Sequence, residues 1–244
     1  MKHLLIIIVS ILSFQLYAQD NTVYNSSDVY QQILFGGSAS VDYNYRSLKN
    51  TSGETAYDAV IKMRDAREED RTGFTVGLNL GYNVNSSFGF ETGLLFSQKG
   101  YNTGDIAFDF GSDSLKYPEK YHVSHVFNYL DVPLRMNVFF GKGKLRFLGS
   151  LGVIGNFMVG QKQLLTNVYH NGATEEVDQS DKYVYKKIGF SPTASIGIDL
   201  RIKKYYYFRL EPVIRYGVTA INSGEVADRL WNAGVRASVY YGIH

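Results

Sequence analysis

The side chains in this sequence best suited to chemistry are acidic and basic residues set into alternating apolar stretches. Glu91, Asp131 and Glu211 each sit between apolar neighbours, where a carboxylate can be tuned as a general acid or base. Arg135, Arg209, Arg215, Arg236 and Asp199 occupy matching positions in other stretches. A buried charge without a partner costs several kcal/mol, so cations and anions presented to one interior must pair. The expectation is a structural charge network of Glu91, Asp131, Arg135, Asp199, Arg209, Glu211, Arg215 and Arg236, with Glu91 and Asp131 reaching Arg209, Arg215 and Arg236 across an enclosed space.

The histidines offer less. His122 and His125 are three apart, which on a strand puts them on opposite faces and spoils a metal pair. His170 adjoins the turn signal Asn171-Gly172 and has no partner identifiable by spacing. No Gly-x-Ser-x-Gly elbow, His-Glu-x-x-His helix or phosphate-cradling glycine loop is present. Cysteine is absent, which excludes disulfides, thiolate metal sites and a cysteine nucleophile. The expectation is therefore a chain with no catalytic, cofactor-binding or metal residues, and not an enzyme. The mixed run Lys62 to Arg71 reads as a solvated loop face. With 25 Lys+Arg against 23 Asp+Glu, overall basicity gives no reason to expect a nucleic-acid partner.

The elements that position these residues are strands. The 244 residues include 20 Tyr, 15 Phe and 24 Gly with 45% hydrophobic residues, a balance that favours strands over helices. Period-two alternation runs through 33–45, 74–84, 88–99, 129–140, 145–159, 190–201, 206–216 and 231–241. No charged residue falls on the apolar face of these runs. The opposite face carries twelve, namely the eight above with Asp42, Lys99, Arg146 and Arg201. Tight turns at 85–87, 141–143 and 203–204 alternate with long polar connections at 47–72, 102–121, 161–182 and 222–229.

Periodicity alone does not say which face is inside. A soluble lipocalin-like barrel would turn the apolar face inward. The other face, however, is rich in Gly, Ser and Thr, and its charges nearly balance, five acidic against seven basic. Aromatics such as Tyr43, Phe140, Tyr206 and Trp231 gather toward the strand ends, as they do at membrane interfaces. The reading is all-β, a single eight-stranded antiparallel up-and-down transmembrane β-barrel. At that size side chains fill the interior. A narrow channel and a rim-located lipid-modifying enzyme stand as alternatives. Met1-Lys2-His3, the apolar run to Leu16 and Ala18 have the layout of a signal peptide over 1–18. The barrel domain is then 19–244, with 19–31 a short periplasmic lead.

The segment Phe88-Gly-Phe-Glu-Thr-Gly-Leu-Leu-Phe-Ser-Gln-Lys-Gly-Tyr101 resembles a hairpin motif of the PorT-like outer-membrane β-barrel family of Bacteroidota. Tyr129-Leu-Asp-Val-Pro-Leu134 and Arg215-Tyr-Gly-Val-Thr219 are similar to that family's later strand elements. The resemblance implies an outer-membrane barrel with both termini periplasmic and suggests a link to secretion or a surface complex. It supplies no shared activity. The expected partners are outer-membrane lipid and an envelope or extracellular protein met through four loops, with the barrel itself a monomer and no cofactor.

Overall fold

Strict alternation gives each strand one apolar and one polar face, and a sheet with two such faces can bury the polar one only by curling closed. The computed structural model describes residues 32–108, 117–141, 143–179 and 185–243. The expected signal peptide, its cleavage before Gln19 and the lead to residue 31 lie outside the described residues. Eight long strands build the wall: β1 Ile33–Asn50, β2 Arg71–Asn83, β3 Phe88–Thr103, β4 Lys120–Phe140, β5 Leu145–Val168, β6 Ile188–Lys203, β7 Tyr206–Tyr216 and β8 Val226–Ile243. Each pairs antiparallel with the next. β1 and β8 close the ring, from Ile33 opposite Ile243 to Asn50 opposite Val226. The result is the all-β, eight-stranded up-and-down barrel that the alternation predicts.

The outer surface is apolar. Leu134 is 66% exposed and Ile196 71%, levels that make sense only against hydrocarbon. Phe35, Tyr82, Phe90, Phe140, Tyr206 and Tyr241 ring the end that carries the short turns. Tyr43, Phe74, Phe96, Phe190, Tyr216 and Trp231 ring the other. Aliphatic residues such as Leu78, Leu94, Leu151 and Val235 lie between the two girdles. The interior is a packed mixture of charged, polar and aromatic side chains. Gly197 shows how tightly it is filled. A Cβ there would lie 2.2 Å from the Leu210 carbonyl oxygen and 2.9 Å from Glu211 Cγ. Glycine at this position is what lets the Glu211 side chain cross the neighbouring strand.

At the loop end the structure differs from the sequence reading. The first connection contains a helix, α1 Thr55–Asp65, and a two-residue strand Glu68–Glu69 that pairs with Thr103 and Asn102. α1 buries none of its residues, so its apolar stripe was too weak to stand out from the loop. β5 runs on to Val168 and forms a hairpin with Thr174–Asp178, where a long loop from Gln161 was expected. Beyond the girdle both faces of a strand meet water or loops. The hydrogen-bond ladder continues there while the apolar alternation that marks it in sequence stops.

Candidate functional site

The inward side chains form three ionic groups between the girdles. In the group nearest the turns, the Glu91 carboxylate accepts from Arg135 at 3.0 Å, Arg209 at 2.9 Å, Arg236 at 2.9 Å and the Tyr240 hydroxyl at 2.9 Å. Glu211 accepts from Arg135 at 2.7 Å, Arg236 at 2.6 Å and Ser195 Oγ at 2.7 Å. Asp199 bridges Arg209 and Arg146, each at 2.6 Å. The Arg209 guanidinium also lies over the Tyr240 ring, 4.3 Å from its centroid. Charge-assisted bonds of this density make the cluster both a rigid cross-brace and a seal.

The other two groups sit toward the loops. Asp42 accepts from Arg215 at 2.9 Å and Thr75 Oγ1 at 2.6 Å. Asp131 pairs with Lys99 at 3.0 Å and accepts from Ser97 and Asn156, each at 2.6 Å. The structure therefore brings six of the eight sequence-nominated residues into one network: Glu91, Arg135, Asp199, Arg209, Glu211 and Arg236. Arg215 and Asp131 stand apart from it, with Asp42 and Lys99 as their partners. Tyr240 was not singled out, although it lies four residues after Arg236 on the same face of β8. The carboxylates of Glu91 and Glu211 have no accessible surface, so neither presents an acid or base to a substrate from solution.

The loop end closes in two tiers. Tyr101, Phe127, Tyr129, Ile221 and Leu230 pack into a buried cluster inside the mouth. Above it, Arg64 from the last turn of α1 donates to Glu68 at 2.6 Å and to both Asp228 oxygens at 2.8 and 2.9 Å. Arg46 of β1 bonds Glu68 and Asp65. Burial alone would lower the Arg64 pKa, but its hydrogen bonds to Asp228 and Glu68 outweigh that and hold it above the ordinary arginine value. The run 62–71 is thus not simply solvated. Asp65 stays half-exposed, but Arg64 and Glu68 fold inward because Asp228 and Arg46 offer them buried partners.

His125 stacks on Tyr101 with centroids 4.6 Å apart. It lies where β4 stands clear of the apolar belt, and burial, reinforced by Arg64, lowers its pKa to about 4. His122 lies 3.3 Å from Asp105, and His170 3.4 Å from Glu119. Among the described residues no group of three or more His, Asp or Glu is arranged to hold a metal.

A family model described as outer membrane protein beta-barrel domain matches residues 17–222. None of the curated proteins compared with the chain matches it. Similar solved structures include Neisserial surface protein A, at 11% identity and TM-score 0.39 over 86% of this chain and 97% of that one. The outer membrane protein OprG from Pseudomonas aeruginosa gives 12% identity and TM-score 0.41 over 88% and 98%. The outer membrane protease OmpT from Escherichia coli gives 8% identity and TM-score 0.42 over 91% and 99%. With a protease among these structures, the expectation that the chain is not an enzyme does not stand, and its enzymatic status is not established. The missing motifs were a weak ground for it, since catalytic groups assembled in space from separate strands leave no short signature.

Proposed function

The chain belongs to the outer membrane protein beta-barrel domain family, and from that premise we propose that it is a sealed, monomeric barrel of the bacterial outer membrane acting as a structural and interaction protein. In this reading the turns and both termini face the periplasm and the loops face outward. The observation that carries it is the filled lumen. Charged groups that an open pore would leave hydrated are instead bonded to one another at every level between the girdles. An ionic latch and an aromatic cluster then cover the mouth. A lumen closed this way holds the wall rigid and leaves the loop end as the surface for a partner. The β3 segment Phe88 to Tyr101 and the β4 segment Tyr129 to Leu134 support the finer reading of a PorT-like barrel of Bacteroidota with a role near secretion or a surface complex.

The test combines conductance with labelling. Purified barrel in a planar bilayer should give no ion-conducting steps, and regular steps would replace this reading with a narrow channel. The native chain has no cysteine, so a single introduced thiol reports its own position. Gly172→Cys, in the third loop, should react with an impermeant maleimide on intact cells. Ser86→Cys, in the first turn, should react only after lysis. The reverse pattern would overturn the orientation.

A further inference from the structure

Between β6 and β7 the wall is incomplete at the loop end. Their pairing stops at Arg215 opposite Thr193. Beyond it Gly217 to Ile221 run irregularly, held to β6 by the Val218 N–H on the Phe190 carbonyl at 3.0 Å. A cavity of about 30 Å³ lies here. Its inner end is lined by Lys99, Arg215 and Asn232, all buried, and its outer end by Ile188, Phe190 and Trp231. Lys186 stands at the rim, and among the described residues no carboxylate lines the cavity.

Asn232 is the telling residue. It is 1% exposed, yet neither its amide nitrogen nor its amide oxygen has a hydrogen-bond partner among the described residues. A buried amide left unpaired is costly, and native structures keep one where something else satisfies it. Two further features define what fits. Lys99 and Arg215 keep Asp131 and Asp42 as partners, so Lys186 carries the surplus charge that favours a negative group. The volume admits roughly two water-sized atoms, enough for two headgroup oxygens and too little for a sugar ring. The outer end lies beside the only tryptophan in the chain and two residues, Ile188 and Phe190, that are more than half exposed on the outer face.

We propose that this lateral window binds the headgroup of an anionic amphiphile, which enters from the membrane with its acyl tail lying along Phe190 and Trp231. Lys186 supplies the positive field, and Asn232 donates to one headgroup oxygen. The assignment rests on the barrel lying in the membrane with this girdle in the headgroup region. It does not depend on whether the lumen conducts.

Trp231 makes the test direct, because its fluorescence reports this mouth alone. The full barrel in neutral detergent is titrated, at alkaline pH, with stearate spin-labelled near its carboxyl and separately with the methyl ester of the same probe. The acid should quench saturably with an apparent Kd about tenfold below that of the ester. Asn232→Leu, which keeps the branched outline and removes the unpaired amide, should raise the acid's Kd by about fivefold and leave the ester unchanged. Lys186→Glu, at the exposed rim where folding is not at stake, should act in the same direction. Equal quenching by acid and ester, or indifference of the acid to both variants, would overturn the proposal. Displacement of the probe by millimolar inorganic phosphate would also overturn it, in favour of a site for free anions.

Discussion

Replacing Glu91 by Gln would test the lumen at its most connected point. The substitution keeps shape and volume, so no cavity contributes. It removes the one negative charge that Arg135, Arg209, Arg236 and Tyr240 share. It also turns an NH2 group toward guanidiniums that need acceptors. Breaking a buried ion pair by removing one partner costs about 3–5 kcal/mol. Glu211 still neutralises Arg135 and Arg236, and Asp199 still neutralises Arg209, so the expected loss lies at the lower end, about 3 kcal/mol. The assay is reversible denaturant unfolding of the barrel in lipid vesicles, followed by Trp231 fluorescence and heat-modifiable mobility. Arg236→Gln should be costly alone, and the double variant should cost less than the sum by about 1–3 kcal/mol, since contacting residues couple. A Glu91→Gln barrel within about 0.5 kcal/mol of wild type, uncoupled from Arg236, would mean that water carries these charges and the cluster is not a brace.

Leu134→Arg and Ile196→Arg, placed mid-belt on the outer face, should each cost about 2–4 kcal/mol in the same vesicle assay, and normal insertion of both would contradict the assignment of faces. Asp228→Asn should loosen the latch by about 1–3 kcal/mol, because Arg64 loses its bidentate acceptor. Hydrogen exchange should quicken over α1 and not over the wall strands, and unchanged protection of α1 would show that the helix is held by other means. Burial lowers His125 from 6.5 to about 4, so the opened mouth binds a proton more readily than the closed one between those values. The stability owed to neutral His125 is complete above pH 6.5 and drains away as pH falls toward about 4. Protease cutting in the first loop should rise across that window in wild type and stay flat in His125→Phe.

The wall was readable because its physics is local. Whether Leu134 or Arg135 faces lipid is settled by the parity of position along one strand, and parity is printed in the sequence. The partnerships were not readable to the same degree. Glu91 and Arg135 face each other in adjacent strands, but Glu91 reaches Arg209 and Arg236 only through the stagger of the closed ring. Arg215, on the same face as Arg209 and six residues further on, meets Asp42 instead because it stands closer to the loops. The run around Arg64 was opaque for another reason. Alternating acids and bases look the same whether water or Asp228 answers them, and nothing near residue 64 announces a carboxylate 164 positions away. The amide of Asn232 was unreadable altogether, since only coordinates show a polar group without a partner.

The seam between β1 and β8 has a temporal meaning. It joins the first strand of the wall to the last along its whole length, from Ile33–Ile243 to Asn50–Val226. Every other neighbour is available as soon as the next strand has been made, whereas β1 must wait for nearly the entire chain. Until then both its outer edge and that of β7 carry unpaired backbone groups, which hydrocarbon does not tolerate. Contacts of such sequence separation are also the slow ones to form. A chain cut short anywhere before β8 lacks the strand that pairs β1 along its whole length, so the ring closes only when the last strand of the wall has been made.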